Sequence, residues 1–478
     1  MDRDLLLVII GFAIFVGGCT MAPKYSRPEA PVSAHWPAGA AYKETKAPIG
    51  IPTGPELRWW EFFADERLQE IIETALNNNR DLRLAALNVE RARALYGVQR
   101  AELFPSVNAV GAGIKQRSSS DLTRPGEPRT TKQFSVNLGL ASWEIDFFGR
   151  IRSLTQRALE HYLATDEARR SVQIALVSEI GRAYFALAAD REKLKLARST
   201  LDTQQGVYDL MQQQYEVGVA NQLDLRRVQT QVDAARRDVA RYTQLVAQDQ
   251  NALNLLAGSP VPENLLPRDL TGVSPPKDIS AGLSSGVLLN RPDIIAAERQ
   301  LKAAYAYIGA ARAAFFPRIS LTTSLGTASN ELSGLFSSSS NTWNFASQVI
   351  MPIFDARTWA AYRVSKVQRK IALAQYEKTI QTAFREVADA LAVQGTVDEQ
   401  LSAQQSLVNA LEDTYRLAIQ RYTSGIDSYL SVLDAQRSLY FAQKTLLTLR
   451  LTKLANQVRL YAVLGGGGDN PRAHKGGS

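Results

Sequence analysis

Residues 77–105, "NNNRDLRLAALNVERARALYGVQRAELFP", return as residues 289–317, "LNRPDIIAAERQLKAAYAYIGAARAAFFP", with Gly97 over Gly309 and Arg100 over Arg312. A second pair lies farther along. The turn "QYEVGVANQLDLRRVQ" (214–229) returns as "RYTSGIDSYLSVLDAQR" (421–437), which sets Tyr215 over Tyr422, Gly218 over Gly425, Asn221 over Ser428, Leu223 over Leu430 and Gln229 over Gln436. Pro105 and Pro317 differ by 212, and Tyr215 and Tyr422 by 207. A chain that repeats itself in this order folds as two homologous units. The first unit carries a surplus of five residues, expected in the polar loop near 116–132, "QRSSSDLTRPGEPRTTK".

Each unit reads as helix, two strands, long helix, turn, helix. The first helix stops at Pro105 or Pro317, because proline lacks the N–H and clashes with the preceding turn. Alternation then sets in. Phe134, Val136, Leu138 and Leu140 fall on one face, with Ser135, Asn137, Gly139 and Ala141 opposite. Ile319, Leu321, Thr323 and Leu325 alternate likewise, as do Trp343, Phe345, Val349 and Met351, while "SVNAVGAGIK" after Pro105 is weaker. Strands of about ten residues with one apolar and one small, polar face suit a lipid-facing barrel with a wet lumen. A soluble sheet shares that periodicity. Four such strands cannot close in hydrocarbon, where unpaired N–H and C=O groups are costly. Eight strands require two copies of the chain, and twelve require three.

The segments 150–215 and 357–422 contain no proline, so each is expected as one helix of about 95 Å at 1.5 Å per residue. The returning segment from Leu225 carries Val228, Val232, Ala235, Val239, Tyr242, Val246, Leu253 and Leu256, with a polar step at Asp249. Spacings of three and four make a coiled-coil seam. Its homologue has Val432, Ala435, Leu439, Ala442, Leu446 and Leu449, plus a second stripe through Leu447, Leu451, Leu454, Val458 and Tyr461. Two stripes imply neighbours on two sides, as in the wall of a tube.

Composition narrows the function. The net charge of +8 comes from 55 basic residues scattered among 47 acidic ones, without a basic block, so no nucleic acid is expected as a partner. The three histidines, His35, His161 and His474, form no metal-ligand spacing, and neither a nucleophile elbow nor a P-loop is present. No enzymatic activity, metal or cofactor is expected.

The single cysteine, Cys19, ends "VGGC" after an apolar run from Leu5 to Val16. Such a run is too short to span a bilayer and fits a signal-peptide core. The small residues before Cys19 match a bacterial lipobox, although Asp2 and Asp4 flank Arg3 in the leading segment. Residues 1–18 are therefore expected as a lipoprotein signal peptide and 19–54 as a lipidated tether. The two repeats follow at 55–270 and 271–464, and 465–478 is expected as a flexible tail, with "GGGG" as helix cap and linker.

The lipobox, "CTMAPKYSRPEAPV", "WWEFFADERLQEIIETALNNNRDLRLA", "LASWEIDFFGRIRS", "LLNRPDIIAAERQL" and the paired turns resemble the outer membrane factor family, the OprM/TolC-like, NodT-type efflux lipoproteins. The likeness runs from Cys19 to about Gly465, in order. It implies a mainly α fold with a transmembrane β-barrel. Each chain contributes four strands and long antiparallel helices to a homotrimeric α/β-barrel channel in the bacterial outer membrane that extends into the periplasm. The implied partners are outer membrane lipid, a periplasmic adaptor (membrane fusion protein) and an inner-membrane pump of the RND type. The implied function is a passive exit duct for drugs or other small toxic compounds. Protein-secretion and metal-efflux ducts share the fold.

In the paired turns Gly425 is placed to end one helix in the left-handed conformation and Ser428 to N-cap the next, and Gly218 and Asn221 repeat the arrangement. The resemblance puts these four at helical-hairpin tips, facing the adaptor at the periplasmic end. It also implies that Tyr422, Leu430, Asp434 and Arg437 take part in a closed constriction. Three copies of Asp434 near an axis repel one another, so Arg437, one turn along, and the Tyr422 hydroxyl, across the turn, are expected as its partners. Read from spacing alone, Leu430 serves equally as seam core and Asp434 as a complement to a helix N-terminus.

Overall fold

The structure, a computed structural model, describes residues 20–42, 57–282 and 284–467. Cys19 with the signal segment, the Gly54 end of the tether, and Gly468 onward lie outside the described residues. The first repeat is built from α1 (Trp59–Phe62), α2 (Glu66–Asn78), α3 (Arg80–Ala101), β1 (Val107–Arg117), β2 (Thr130–Ile145), α4 (Arg150–Glu216) and α5 (Gln222–Ala257). The second is built from α6 (Pro292–Ala313), β3 (Arg318–Ser329), β4 (Asn341–Ile350), α7 (Ala356–Thr423) and α8 (Tyr429–Val463). Thus α3-β1-β2-α4-α5 recurs as α6-β3-β4-α7-α8. The proline-free segments are unbroken helices of 67 and 68 residues. A stretch of α4 is long and apolar enough to cross a membrane, but 61% of it is buried within the protein, as suits a packed helix.

The chain forms two compact units, and each draws on both repeats. One holds residues 88–166 and 296–376 with the N-terminal stretch to Glu29. Its four strands make one antiparallel sheet in the order β1-β2-β3-β4, leaving β1 and β4 as edges. Register explains the alternation. Ala109, Leu138, Leu325 and Trp343 lie in one row, and Val107, Leu140, Thr323 and Phe345 in the next, so the apolar residues of neighbouring strands share a face. A β-bulge between Leu140 and Trp143, where Ser142 has φ 50°, adds one residue to β2. Without it Trp143 and Ile145 would change face. With it they pair with Leu321 and Ile319 and stay on the apolar side. The bulge also bears on the surplus of five residues. The connections 118–129 and 330–340 are nearly equal, and the extra length lies in β2, at 16 residues against 10 in β4. The expected loop insertion is corrected to a strand extension.

At the middle of the sheet two glycines permit close approach. A Cβ on Gly139 would lie 2.2 Å from the Thr323 carbonyl oxygen, and one on Gly326 2.1 Å from that of Val136. In the same unit the N-terminal stretch packs along α6. Arg27 Nη2 donates to Glu298 Oε2 at 2.6 Å, Tyr25 Oη donates to Oε1 at 3.0 Å, and Lys302 pairs with the same buried carboxylate at 2.9 Å.

The other unit holds residues 30–87, 167–295 and 377–467 of the described chain. Asp65 caps α2 by accepting from the Arg67 and Leu68 amides. Phe62 and Phe63 lie fully buried there, with the Phe62 ring stacked on Tyr461 at 4.0 Å. The seam of α5 buries Leu225, Val228, Val232, Ala235, Tyr242 and Leu253 as expected. Its fully buried acid is Asp238, not Asp249, which is half-buried. The start of the C-terminal segment is packed rather than loose, since Gly466 lies against the Tyr461 ring and Gln173 donates to the Gly467 carbonyl at 3.2 Å.

Candidate functional site at the hairpin tips

Two helical hairpins, α4–α5 and α7–α8, end in turns of the same construction. In the first, the Gly218 amide donates to the Tyr215 carbonyl at 3.0 Å and the Val219 amide to Gln214 at 2.8 Å. In the second, Gly425 donates to Tyr422 at 2.9 Å and Ile426 to Arg421 at 2.9 Å. Each is a Schellman closure, which requires the residue after the helix to be left-handed. Gly218 has φ 76° and Gly425 φ 73°, and nothing lies within 4 Å of where a Cβ would sit at either. Conformation, not crowding, therefore demands the glycines.

The restart of each hairpin differs. Asn221 N-caps α5, its Oδ1 accepting from the Asp224 amide at 2.9 Å while its Nδ2 donates to Asp224 Oδ2 at 2.7 Å. Ser428 occupies the N-cap of α8 without a side-chain bond to the helix, so the expected cap there is positional only. A clamp replaces it. Arg421 donates from Nε and Nη2 to the two oxygens of Asp427, at 2.6 and 3.0 Å, which holds that carboxyl below the usual carboxylate range. The only sequence signal for this pair was opposite charge on either side of the glycine.

Of the expected gate residues, Leu430, Asp434 and Arg437 lie on α8, and Tyr422 lies at the end of α7 on the other side of the turn. Leu430 is 40% exposed, whereas Leu433 is 6% exposed and packs with Met211, Leu225 and Val228. Within this chain Leu430 is thus not seam core. Asp434 Oδ1 accepts from Arg437 Nη2 at 3.0 Å, with both side chains more than half exposed; such a pair contributes little in one chain. The Tyr422 ring meets Tyr429 edge-on at 5.0 Å and packs on Ala418, Val432 and Ala435. No hydrogen bond from its hydroxyl occurs among the described residues, so the expected bond to Asp434 is replaced by an aromatic contact. Burial, with Tyr415 and Tyr422 close by, pushes the Tyr429 hydroxyl up.

Leu430, Asp434 and Arg437 recur at helical spacing on one exposed face, and Phe441, 58% exposed, extends it. Nothing in the sequence singles out Phe441, because its neighbours Leu439 and Ala442 fit a seam. Beside this face the tips present Val217, Val219 and Ile426, all largely exposed. Among the described residues no His, Cys, Asp and Glu group has the arrangement of a metal site. Such a stripe, repeated about an axis, can narrow a passage and set its charge.

Comparison with known proteins gives a consistent result. Residues 71–259 and 283–466 match the model of a family described as outer membrane efflux protein. The chain is 48% identical over 468 residues to the toluene efflux pump outer membrane protein TtgC of Pseudomonas putida, covering 98% of this chain and 96% of the relative. It is equally similar, over the same shares, to the antibiotic efflux pump outer membrane protein ArpC of Pseudomonas putida. Among solved structures, a membrane protein from Pseudomonas aeruginosa superposes with a TM-score of 0.86 at 40% identity, covering 94% of this chain and all of that one.

Proposed function

This chain belongs to the outer membrane efflux protein family, and on that premise we propose how three copies of it make a gated exit duct. The protein is the outer membrane channel of a tripartite efflux system, located in the outer membrane and extending into the periplasm. The observation that carries the trimeric reading is the sheet with two unpaired edges, β1 and β4. Edges exposed to hydrocarbon leave N–H and C=O groups unsatisfied at several kcal/mol each. Three copies joined β4 to β1 give about twelve strands and no edge, within the range of closed outer-membrane barrels. The row of Leu138, Leu325 and Trp343 then faces lipid. Native mass spectrometry of the detergent-extracted protein tests this: a trimer is expected, and a monodisperse monomer with full β-sheet signal contradicts it.

The periplasmic end is closed by Tyr422, Leu430, Asp434 and Arg437. The support for this reading is the stripe on α8, where Leu430 is 40% exposed and the Asp434 and Arg437 side chains, paired with each other, are more than half exposed. Three Asp434 carboxylates about one axis repel each other, and Arg437 one turn along is the partner that offsets them. The tips bearing Gly218, Asn221, Gly425 and Ser428 dock a periplasmic adaptor, with Val217, Val219 and Ile426 as apolar contacts, and through it an RND-type inner-membrane pump. Cys19 carries the lipid anchor. The equal similarity to a toluene and an antibiotic efflux protein supports a duct that leaves the choice of cargo to the pump.

A further inference from the structure

The fully buried acid of the α5 seam joins the two hairpins. Asp238 Oδ2 accepts from Lys444 Nζ at 2.9 Å and from Tyr440 Oη at 3.0 Å, both on α8. Its Oδ1 accepts from Arg237 Nη2 at 2.9 Å and Nε at 3.2 Å. The Asp238 side chain is 4% exposed. The Lys444 ammonium also lies over the rings of Tyr242, Tyr440 and Phe441, at 5.5, 5.0 and 5.5 Å. A buried carboxylate with this many donors is held in one geometry, and losing one partner leaves the rest uncompensated. Burial pushes this carboxyl up, but Lys444 and the other donors more than offset that and hold it below its ordinary range.

Tipward of this point the hairpins meet differently. Leu433 of α8 packs on Met211, Leu225 and Val228, with Tyr429 beside them. Apolar contact is non-directional, so it tolerates small shifts that a set of fixed hydrogen bonds does not. Lys444 lies ten residues beyond Asp434, about 15 Å along the helix. Among the described residues, the stretch of α8 at Tyr440 and Lys444 is tied to α5 by charge, the stretch at Leu433 meets it by apolar packing, and the latter carries Leu430, Asp434 and Arg437.

We propose that Asp238 is a positioning residue for the gate: through Lys444 and Tyr440 it pins α8 to α5 and so places Leu430 and Asp434 in the constriction. This rests on the gate reading given above. Asp238 touches neither cargo nor the constriction, so its effect passes through the helix register of α8.

The test is single-channel conductance of the purified full-length oligomer in planar bilayers. Asp238→Asn keeps the shape and removes the charge, and a rise of about tenfold in open fraction is expected. Tyr440→Phe, which removes one hydroxyl, is expected to give a smaller rise, and it carries the test if Asp238→Asn fails to assemble. Exchange of the pair, Asp238→Lys with Lys444→Asp, is expected to restore much of the closed state. Oligomer stability on gels is followed in parallel, since a merely structural role lowers stability without opening the channel. Wild-type conductance in Asp238→Asn and Tyr440→Phe, with intact oligomers, overturns the proposal. Leu430→Ala with Asp434→Ala, run alongside, separates the two readings. If that pair opens the channel while the Asp238 and Tyr440 variants do not, the anchor fails and the gate stands. If neither set opens it, both fall. If only the Asp238 and Tyr440 variants open it, Leu430 and Asp434 do not form the constriction, and both the gate reading and the proposal in this form fall.

Discussion

Arg421 and Asp427 face each other across the Gly425 turn, joined by two N–H···O bonds of 2.6 and 3.0 Å, while the first hairpin has no such pair at its matching positions Gln214 and Ala220. The two tips share a backbone and differ in what stiffens them. Asp427→Ala is expected to speed hydrogen exchange several-fold at the amides of residues 424–428. The global melting temperature should move by no more than about 1 °C, since exposed pairs contribute little to global stability. The Asp427 carboxyl is held below its ordinary range by Arg421. Its contribution is therefore fully present above the ordinary carboxylate value and is lost only as pH falls through the lowered one. Protection of the wild-type tip that does not change between about pH 5 and 8 is the expected result.

Asp249 behaves in the opposite sense. Burial, with Asp190 nearby, pushes its carboxyl up to about 6, and its Oδ2 has no hydrogen-bond partner. The folded state binds this proton more tightly than the unfolded one, so this group's contribution declines as pH rises from about 4 through about 6. Asp249→Asn removes the cost of the buried charge. It should raise the apparent melting temperature by about 1–3 °C at pH 7.5. The gap from wild type should close below about pH 5. Thermal scans across that range decide it, and an equal gap at every pH contradicts the assignment.

Much of this architecture can be read in the sequence. The absence of proline and the repeated glycines mark the ends of α4 and α7 to within one residue of where they fall. Alternation marks the faces of the strands. What stays hidden depends on partners distant in sequence or on unusual backbone. The β2 bulge turns on Ser142 in a left-handed conformation, which a serine does not advertise. Asp238 reads as a surface acid beside Arg236 and Arg237 until α8 brings Lys444 to it. Ser428 has the composition of a cap, yet the Arg421–Asp427 clamp stands at that turn.

The sheet offers a steric test. Gly326→Ala places a Cβ about 2.1 Å from the Val136 carbonyl oxygen, a distance that only backbone displacement relieves. Loss of heat-stable oligomers on gels is expected, with destabilisation of several kcal/mol. Normal assembly of this variant would show that β2 and β3 lie farther apart than described.

Lipidation of Cys19 is read on the intact mass of the mature protein. A chain beginning at Cys19 with diacylglycerol and one further acyl group is expected. An unmodified thiol, or a start elsewhere, contradicts it. Cys19→Ser should weaken membrane anchoring without unfolding the protein, because the barrel itself inserts in the membrane.

If the stripe of α8 holds the channel closed at its tips, replacing it with Leu430→Ala and Asp434→Ala opens the channel, and planar-bilayer conductance measures that opening. Removing the apolar ring and the carboxylate ring together should shift the population from rarely open to mostly open. Conductance should then rise well above wild type, and cells carrying the variant should admit large antibiotics such as vancomycin. Wild-type conductance in a variant that remains a folded trimer would contradict the claim and place the constriction elsewhere.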